Sequence, residues 1–161
     1  MANIISNKLT IIGSDEKVKK CIEKIKGDNV LIPCPIDFEK ILPLAGEAPL
    51  TVWGCRGNSC LPEFLSAVVP TDDKSISFYT YWDTPRPVML ELSKQYPDFE
   101  FEVKYADEFI SADGGIYKLK NGKYLQDIHY EEGSPKRKSL HKELFPLYFD
   151  IENFCKTGKS D

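Results

Sequence analysis

Two alternating runs bracket a helical stripe in the middle of the chain. Ile76, Phe78, Thr80 and Trp82 alternate with Ser75, Ser77, Tyr79 and Tyr81. Because a strand sends successive side chains to opposite faces, this predicts a strand with one largely apolar face and one polar, aromatic face. Asp83 or Thr84 then supplies an oxygen suited to a helix N-cap, and Pro85 fits the first turn, where a missing N–H costs little. Val88, Leu92 and Tyr96 recur at i, i+4 and i+8, a one-sided apolar stripe. Pro97 stops the helix. Phe99, Phe101, Val103 and Tyr105 next alternate with Glu100, Glu102 and Lys104, which predicts a second strand with one buried face. The unit is β–α–β, with a right-handed crossover expected if the strands are parallel.

The flanking segments can be laid out around this unit. Lys8–Ile12 reads as a short strand ended by Gly13. Ser14 offers an N-cap, Asp15 and Glu16 complement the helix dipole, and Val18, Cys21, Ile22 and Ile25 make a helical stripe running to Gly27. Ile32-Pro33-Cys34-Pro35 excludes a regular helix in the long connection that follows. Phe38, Ile41 and Leu42 predict a short helical turn within that connection. Leu50–Trp53 is expected as a second strand, leading into the turn-rich Gly54–Cys60. Leu61–Val69 is expected as a short helix, and Thr71–Lys74 as a turn. Beyond a polar loop, Gly115–Lys120 and Lys123–Tyr130 flank Asn121-Gly122, a strong short-range hairpin signal. Glu131–Lys138 reads as a charged linker. Ser139–Cys155 reads as helical, carried by Leu140, Leu144, Leu147, Tyr148 and Ile151, and kinked or split at Pro146.

The element order β-α-β-β-α-β predicts an α+β fold. It is a ferredoxin-like sandwich with helices on one face of an antiparallel sheet, plus a C-terminal hairpin and helix. Residues 1–130 are expected to form the ferredoxin-like domain including the hairpin, and 131–161 a linker and helical tail packed on it.

Several motifs carry a resemblance. They are Asn7-x-Leu9-x-Ile11-x-Gly13, Ile32-Pro33-x-Pro35, Trp53-Gly54-x-Arg56-x-Asn58, and Phe78-x-Thr80-x-Trp82-x-x-Pro85-x-Pro87 followed by Leu92-Ser93-x-x-Tyr96-Pro97. Over roughly residues 1–125 the chain resembles the YubB-type ferredoxin-like family of plasmids, phages and related mobile elements. The resemblance implies the fold and a mobile-element setting, and no catalytic residues. The chain departs from the family pattern where Cys55 stands for a usual threonine, Gly57 for a second tryptophan and Thr84 for the first proline of the elbow. The segment after the hairpin has no counterpart in it.

Composition narrows the rest. With 161 residues, 42% hydrophobic and 29% charged, the chain fits one globular domain. No apolar run approaches the roughly 18–20 residues that span a bilayer, and MANIISNKLTIIG lacks the pattern of a signal peptide, so a cytoplasmic location is expected. A net charge of −4 argues against a general nucleic-acid binder. Five cysteines, scattered and odd in number, are expected as free thiols.

Four groups of residues are candidates for chemistry. The Trp53–Asn58 loop and the Trp82–Arg86 elbow would together offer Trp53, Arg56, Asn58, Trp82, Asp83 and Arg86, a mixture of aromatic planes and hydrogen-bonding groups suited to a protein, peptide or nucleotide contact. The plainer alternative buries both tryptophans and pairs the arginines locally. Tyr79 and Tyr81 sit where RNA-recognition sheets place stacking aromatics, with Lys8 and Lys104 nearby, but Glu100 and Glu102 would share that face. Cys55-x4-Cys60 lacks zinc-site spacing, and His129 and His141 are the available imidazoles, so no metal or cofactor is expected. Lys136-Arg137-Lys138 reads as a solvated run or an anion contact. There is no P-loop, HExxH or Gly-x-Ser-x-Gly motif. The expected function is a non-enzymatic protein-interaction module of a mobile element, with a bacterial or phage protein as partner; its most specific form is an inhibitor of a bacterial defence system. The alternatives are a nucleic-acid or nucleotide-binding module and an enzyme with a cysteine nucleophile.

Overall fold

The structure is a computed structural model and describes residues 3–61, 72–109 and 112–146. Its centre is β1 (Ile4–Ile12), whose odd-numbered side chains Ile5, Asn7, Leu9 and Ile11 are all buried. On one side β1 pairs antiparallel with β2 (Ser75–Tyr81), and on the other with β3 (Glu100–Asp107). β2 and β3 therefore run parallel to each other with β1 between them, joined by the helix α4 (Arg86–Gln95). That is the split βαβ of a ferredoxin-like α+β fold. β4 (Gly114–Lys120) and β5 (Lys123–His129) extend the sheet beyond β3, giving the order β2-β1-β3-β4-β5. The turn between them is Asn121-Gly122, with φ of 47° and 72° as the hairpin signal requires.

One face of the sheet carries the main core. Val18, Cys21 and Ile25 of α1 (Asp15–Ile25) and Val88, Met89 and Leu92 of α4 pack over Leu9, Ile11, Phe78, Phe101, Val103 and Leu119. Each such side chain contributes about 1.5–3 kcal/mol by leaving water. The short helix α2 (Phe38–Ile41) pins the long connection to this core through Phe38 and Ile41, with Asp37 as its cap.

Three expectations need correction. The predicted strand over Leu50–Trp53 is the short helix α3 (Pro49–Trp53). Pro49 sits in its first turn, where proline starts a helix, and this placement turns Trp53 inward. The edge of β2 that the predicted strand would occupy is lined by residues 56–60, which touch it at two points. Arg56 N–H donates to the Tyr81 carbonyl at 3.0 Å, and Cys60 bridges Tyr79 in both directions. Second, α4 is capped at Pro85, not at Asp83 or Thr84, and has no side-chain cap bond; Asp83 instead accepts from the adjacent Thr84 N–H at 2.7 Å. Third, helix α5 (Pro135–Leu144) begins inside the predicted linker, capped by Ser134, and ends before Pro146. The predicted helix over Leu61–Val69, and Leu147, Tyr148, Ile151 and Cys155, lie outside the described residues, apart from Leu61 itself.

α5 lies on the sheet face opposite α1 and α4. Leu140, Leu144 and Phe145 cover Tyr79 and Ala106. The Ser6 hydroxyl donates to the Leu144 carbonyl at 2.9 Å, and Glu143 sits between Lys8 (3.5 Å) and Lys104 (3.1 Å). The expected solvated run 136–138 is therefore split. Lys136 and Lys138 are exposed, but Arg137 is 1% exposed, and its guanidinium donates to the carbonyls of Ala112 and Gly114.

Candidate functional site

The six residues of the loop and elbow divide into three groups. Trp53 and Asn58 are structural. Trp53 is 3% exposed; its indole N–H donates to the Leu42 carbonyl at 2.7 Å, and its ring meets Phe38 edge-on at 5.5 Å. Asn58 ties the Trp53–Cys60 loop to the start of α2. Its amide nitrogen donates to Asp37 at 2.8 Å, and its oxygen accepts from the backbone N–H groups of Phe38 and Ser59, both at 2.9 Å.

Arg56 and Trp82 come together at the surface. The guanidinium carbon of Arg56 lies over the Trp82 ring, 5.3 Å from its centroid, within cation–π range. Backbone bonds set the pair in place. Arg56 N–H is held by the Tyr81 carbonyl, and Trp82 N–H by the Asn3 carbonyl, each at 3.0 Å. Trp82 has φ of 80°, in the left-handed region that costs an L side chain roughly 1–3 kcal/mol. The strained turn directs its ring outward rather than into the core, and Trp82 is 45% exposed. Tyr81 beside it is 38% exposed, and the Cys60 thiol raises its phenol pKa above the usual value. Arg56 and Trp82 thus form an aromatic–arginine pair at the surface at the end of β2, with the exposed Tyr81 preceding Trp82 in the chain. Asp83 is also exposed, and desolvation by the surrounding protein raises its carboxyl above the ordinary value.

Arg86 points elsewhere. It leaves the first turn of α4 and enters a cage of tyrosines. Its guanidinium carbon is 4.4 Å from the Tyr117 ring centroid, 5.4 Å from that of Tyr105 and 5.8 Å from that of Tyr124. One nitrogen donates to both Asp127 oxygens at 3.2 Å and another to the Tyr105 hydroxyl, also at 3.2 Å. Burial disfavours its charge, but the phenols and Asp127 outweigh that cost and raise its pKa further. Around the cage, the Tyr105 hydroxyl lies 3.0 Å from His129 Nδ1, which is 3.3 Å from Asp113. Thr84 pairs with the buried Tyr117 hydroxyl at 2.8 Å. In the sequence Thr84 stands out only as a cap or elbow residue, Tyr105 as a strand residue and His129 as an available imidazole, and Asp113, Tyr117, Tyr124 and Asp127 carry no signal that joins them to Arg86. A regular Asn121-Gly122 hairpin would have put Tyr117 and Tyr124 on one face but His129 on the other; the register shift at Lys118/Leu119, which local pattern does not announce, brings Asp127 and His129 round to the Tyr105 and Tyr117 side.

The other candidates are occupied by structure. Tyr79 is buried against Phe145, and the lysines of the same sheet face are paired, Lys8 and Lys104 with Glu143 and Lys118 with Glu102. Burial pushes the Cys55 thiol up to about 12 and the Cys21 thiol up to about 11, and raises those of Cys34 and Cys60, the reverse of what activates a nucleophile. Among the described residues no group of three His, Cys, Asp or Glu side chains is placed to hold a metal ion, and no helix is long and apolar enough to cross a membrane. The connection before the Ile32-Pro33 motif also carries an apolar loop tip: Val30 is 93%, Leu31 87% and Ile32 65% exposed.

Residues 64–143 match the family model described as a ferredoxin-like domain in Api92-like protein. The match takes in β2, α4, β3, the hairpin and most of α5, and so extends past residue 130 into the segment for which the sequence reading found no counterpart. It does not include β1, the strand that lies between β2 and β3. No curated protein and no solved structure matches the chain.

Proposed function

Taking the chain as the carrier of a ferredoxin-like domain, we propose that it is a non-enzymatic protein-interaction module whose contact surface is the Tyr81–Trp82–Arg56 patch. One observation carries this reading. Trp82 is held in a strained left-handed conformation that leaves its ring at the surface with an arginine over it. Tryptophan, tyrosine and arginine are the residues most enriched at the energetic centres of protein interfaces. The strain opposes folding, so its persistence fits a surface kept for binding. On this reading, which the resemblance to the YubB-type family supports, the module belongs to a mobile element and acts in the bacterial cytoplasm on a host or phage protein. Inhibition of a defence system is the most specific form of that role.

The test compares capture of partners from bacterial lysate by the wild-type protein and by Trp82→Asn. Asparagine tolerates positive φ, so the variant keeps the fold and removes only the ring. A protein retained by wild type and lost by Trp82→Asn, with thermal stability unchanged within about 1 kcal/mol, supports the reading. Identical captures by the two proteins overturn it.

A further inference from the structure

We infer that the Arg56–Trp82 stack is a carboxylate receptor, taking an aspartate or glutamate side chain from an acidic segment of the partner protein. The inference rests on the interaction-module reading and deepens it. Arg56, Arg86 and Arg137 are the chain's arginines, and they are used differently. Arg86 spends its donors on Asp127 and Tyr105, and Arg137 on two backbone carbonyls. Arg56 is exposed. Among the described residues no carboxylate lies within ion-pair distance of it, and its guanidinium donates no hydrogen bond. The nearest acidic residue along the elbow, Asp83, has one oxygen taken by Thr84 N–H.

The geometry makes this idle cation selective. With its guanidinium carbon over the Trp82 ring and its N–H donors unpaired among the described residues, Arg56 offers a fork of donors that matches a carboxylate with two parallel bonds. Holding the side chain against Trp82 also removes part of the rotamer entropy that a free arginine would lose on binding. Tyr81 adds a second exposed ring for the apolar stem of the incoming residue. A phosphate backbone is the less suitable ligand. Nucleic-acid affinity accumulates over several cations, whereas the lysines of the sheet face are neutralised by Glu143 and Glu102, and the chain carries a net charge of −4.

The experiment follows indole and guanidinium N–H resonances by NMR in the full chain while three probes are titrated: N-acetyl tetraglutamate amide, its tetraglutamine analogue and inorganic phosphate. Trp53, hydrogen-bonded to Leu42 in the core, is the internal control and reports that each variant is folded. The glutamate peptide is expected to shift the Trp82 and Arg56 signals saturably, leaving Trp53 still. The glutamine peptide should do nothing. Arg56→Lys, which keeps the charge and loses the fork, should weaken binding at least about fivefold. Equal shifts from the glutamine peptide, tighter saturation by phosphate than by the glutamate peptide, or undiminished binding by Arg56→Lys would each overturn the assignment. Lysate capture separates this failure from failure of the broader reading. A partner lost by Trp82→Asn but kept in full by Arg56→Lys removes the carboxylate receptor and leaves the module, whereas a partner kept by both variants removes the module at this patch.

Discussion

At the scale of single residues, the chain shows how one side-chain type divides by environment. Trp53 and Trp82 are both followed by turn-forming segments in the sequence, yet one is buried under Phe38 and the other stands in solvent beneath Arg56. The difference is backbone conformation: Trp53 ends a helix that rolls it inward, whereas Trp82 sits at positive φ at the end of β2. Asp83, next to it, is set for a pH test. Desolvation holds its carboxyl above the ordinary 3.8, so the native state binds that proton more tightly than the unfolded chain. The stability it contributes is complete below the unfolded value and declines as pH rises through the native one. Asp83→Asn keeps the oxygen that accepts from Thr84 and removes the titration. The variant should match wild type in thermal unfolding at about pH 3 and exceed it at about pH 7; a constant offset at both pH values would show that ionisation of Asp83 is not the cause.

At the scale of elements, the hairpin is the part of the sheet with the least core of its own. Almost every residue of β5 is exposed, and among the described residues β5 pairs with β4 alone. Arg86 supplies the missing attachment, because it leaves α4 and contacts Tyr117 of β4 together with Tyr124 and Asp127 of β5. Arg86→Ala should cost about 2 kcal/mol, given partly desolvated ring contacts and an ion pair that keeps some exposure. It should also speed amide exchange in β5 well ahead of β1, and Arg86→Lys should restore little, since lysine lacks the fork. Unchanged exchange in β5 would show that the backbone ladder alone holds the hairpin. Gly115 in β4 bears on the same joint, because a Cβ there would meet the Ile128 carbonyl oxygen at 2.0 Å, so the close pairing of β4 and β5 depends on a residue without a side chain.

At the scale of the whole molecule, α5 turns a two-layer sandwich into a sheet covered in part on both faces. Leu144 lies over the second face near Tyr79, and Glu143 draws Lys8 and Lys104 under the same helix. Leu144→Ala should lower stability by about 2–3 kcal/mol, and calorimetry should record one transition moved as a whole. A separate early transition would instead mark residues 131–161 as a unit that unfolds independently. The same covering explains why the aromatic sheet face is not a platform for stacked bases: of its two tyrosines, Tyr79 is beneath Phe145 and Tyr81, at the end of β2, remains exposed.

Strict alternation in β2 and β3, the apolar stripes of α1 and α4 and the Asn121-Gly122 turn were legible because each is set by neighbours a few residues away, where strand and helix periods act directly. The strand expected over Leu50–Trp53 was not, since a short apolar run carries no period and Pro49 decided it for helix. The extent of α5 was obscured in the same way: Ser134 caps it, and its first turn carries charged residues, so the segment looked like a linker. For the site, the residue types were legible but their grouping was not. Periodicity and turn chemistry determined that Arg56, Trp82 and Arg86 lie at the ends of elements. The pairing of β2 with residues 56–60 alone decided that Arg56 would meet Trp82, and the addition of β4 and β5 beyond β3 decided that Arg86 would not. Both outcomes depend on contacts between segments tens of residues apart, which local pattern does not encode and strand order does.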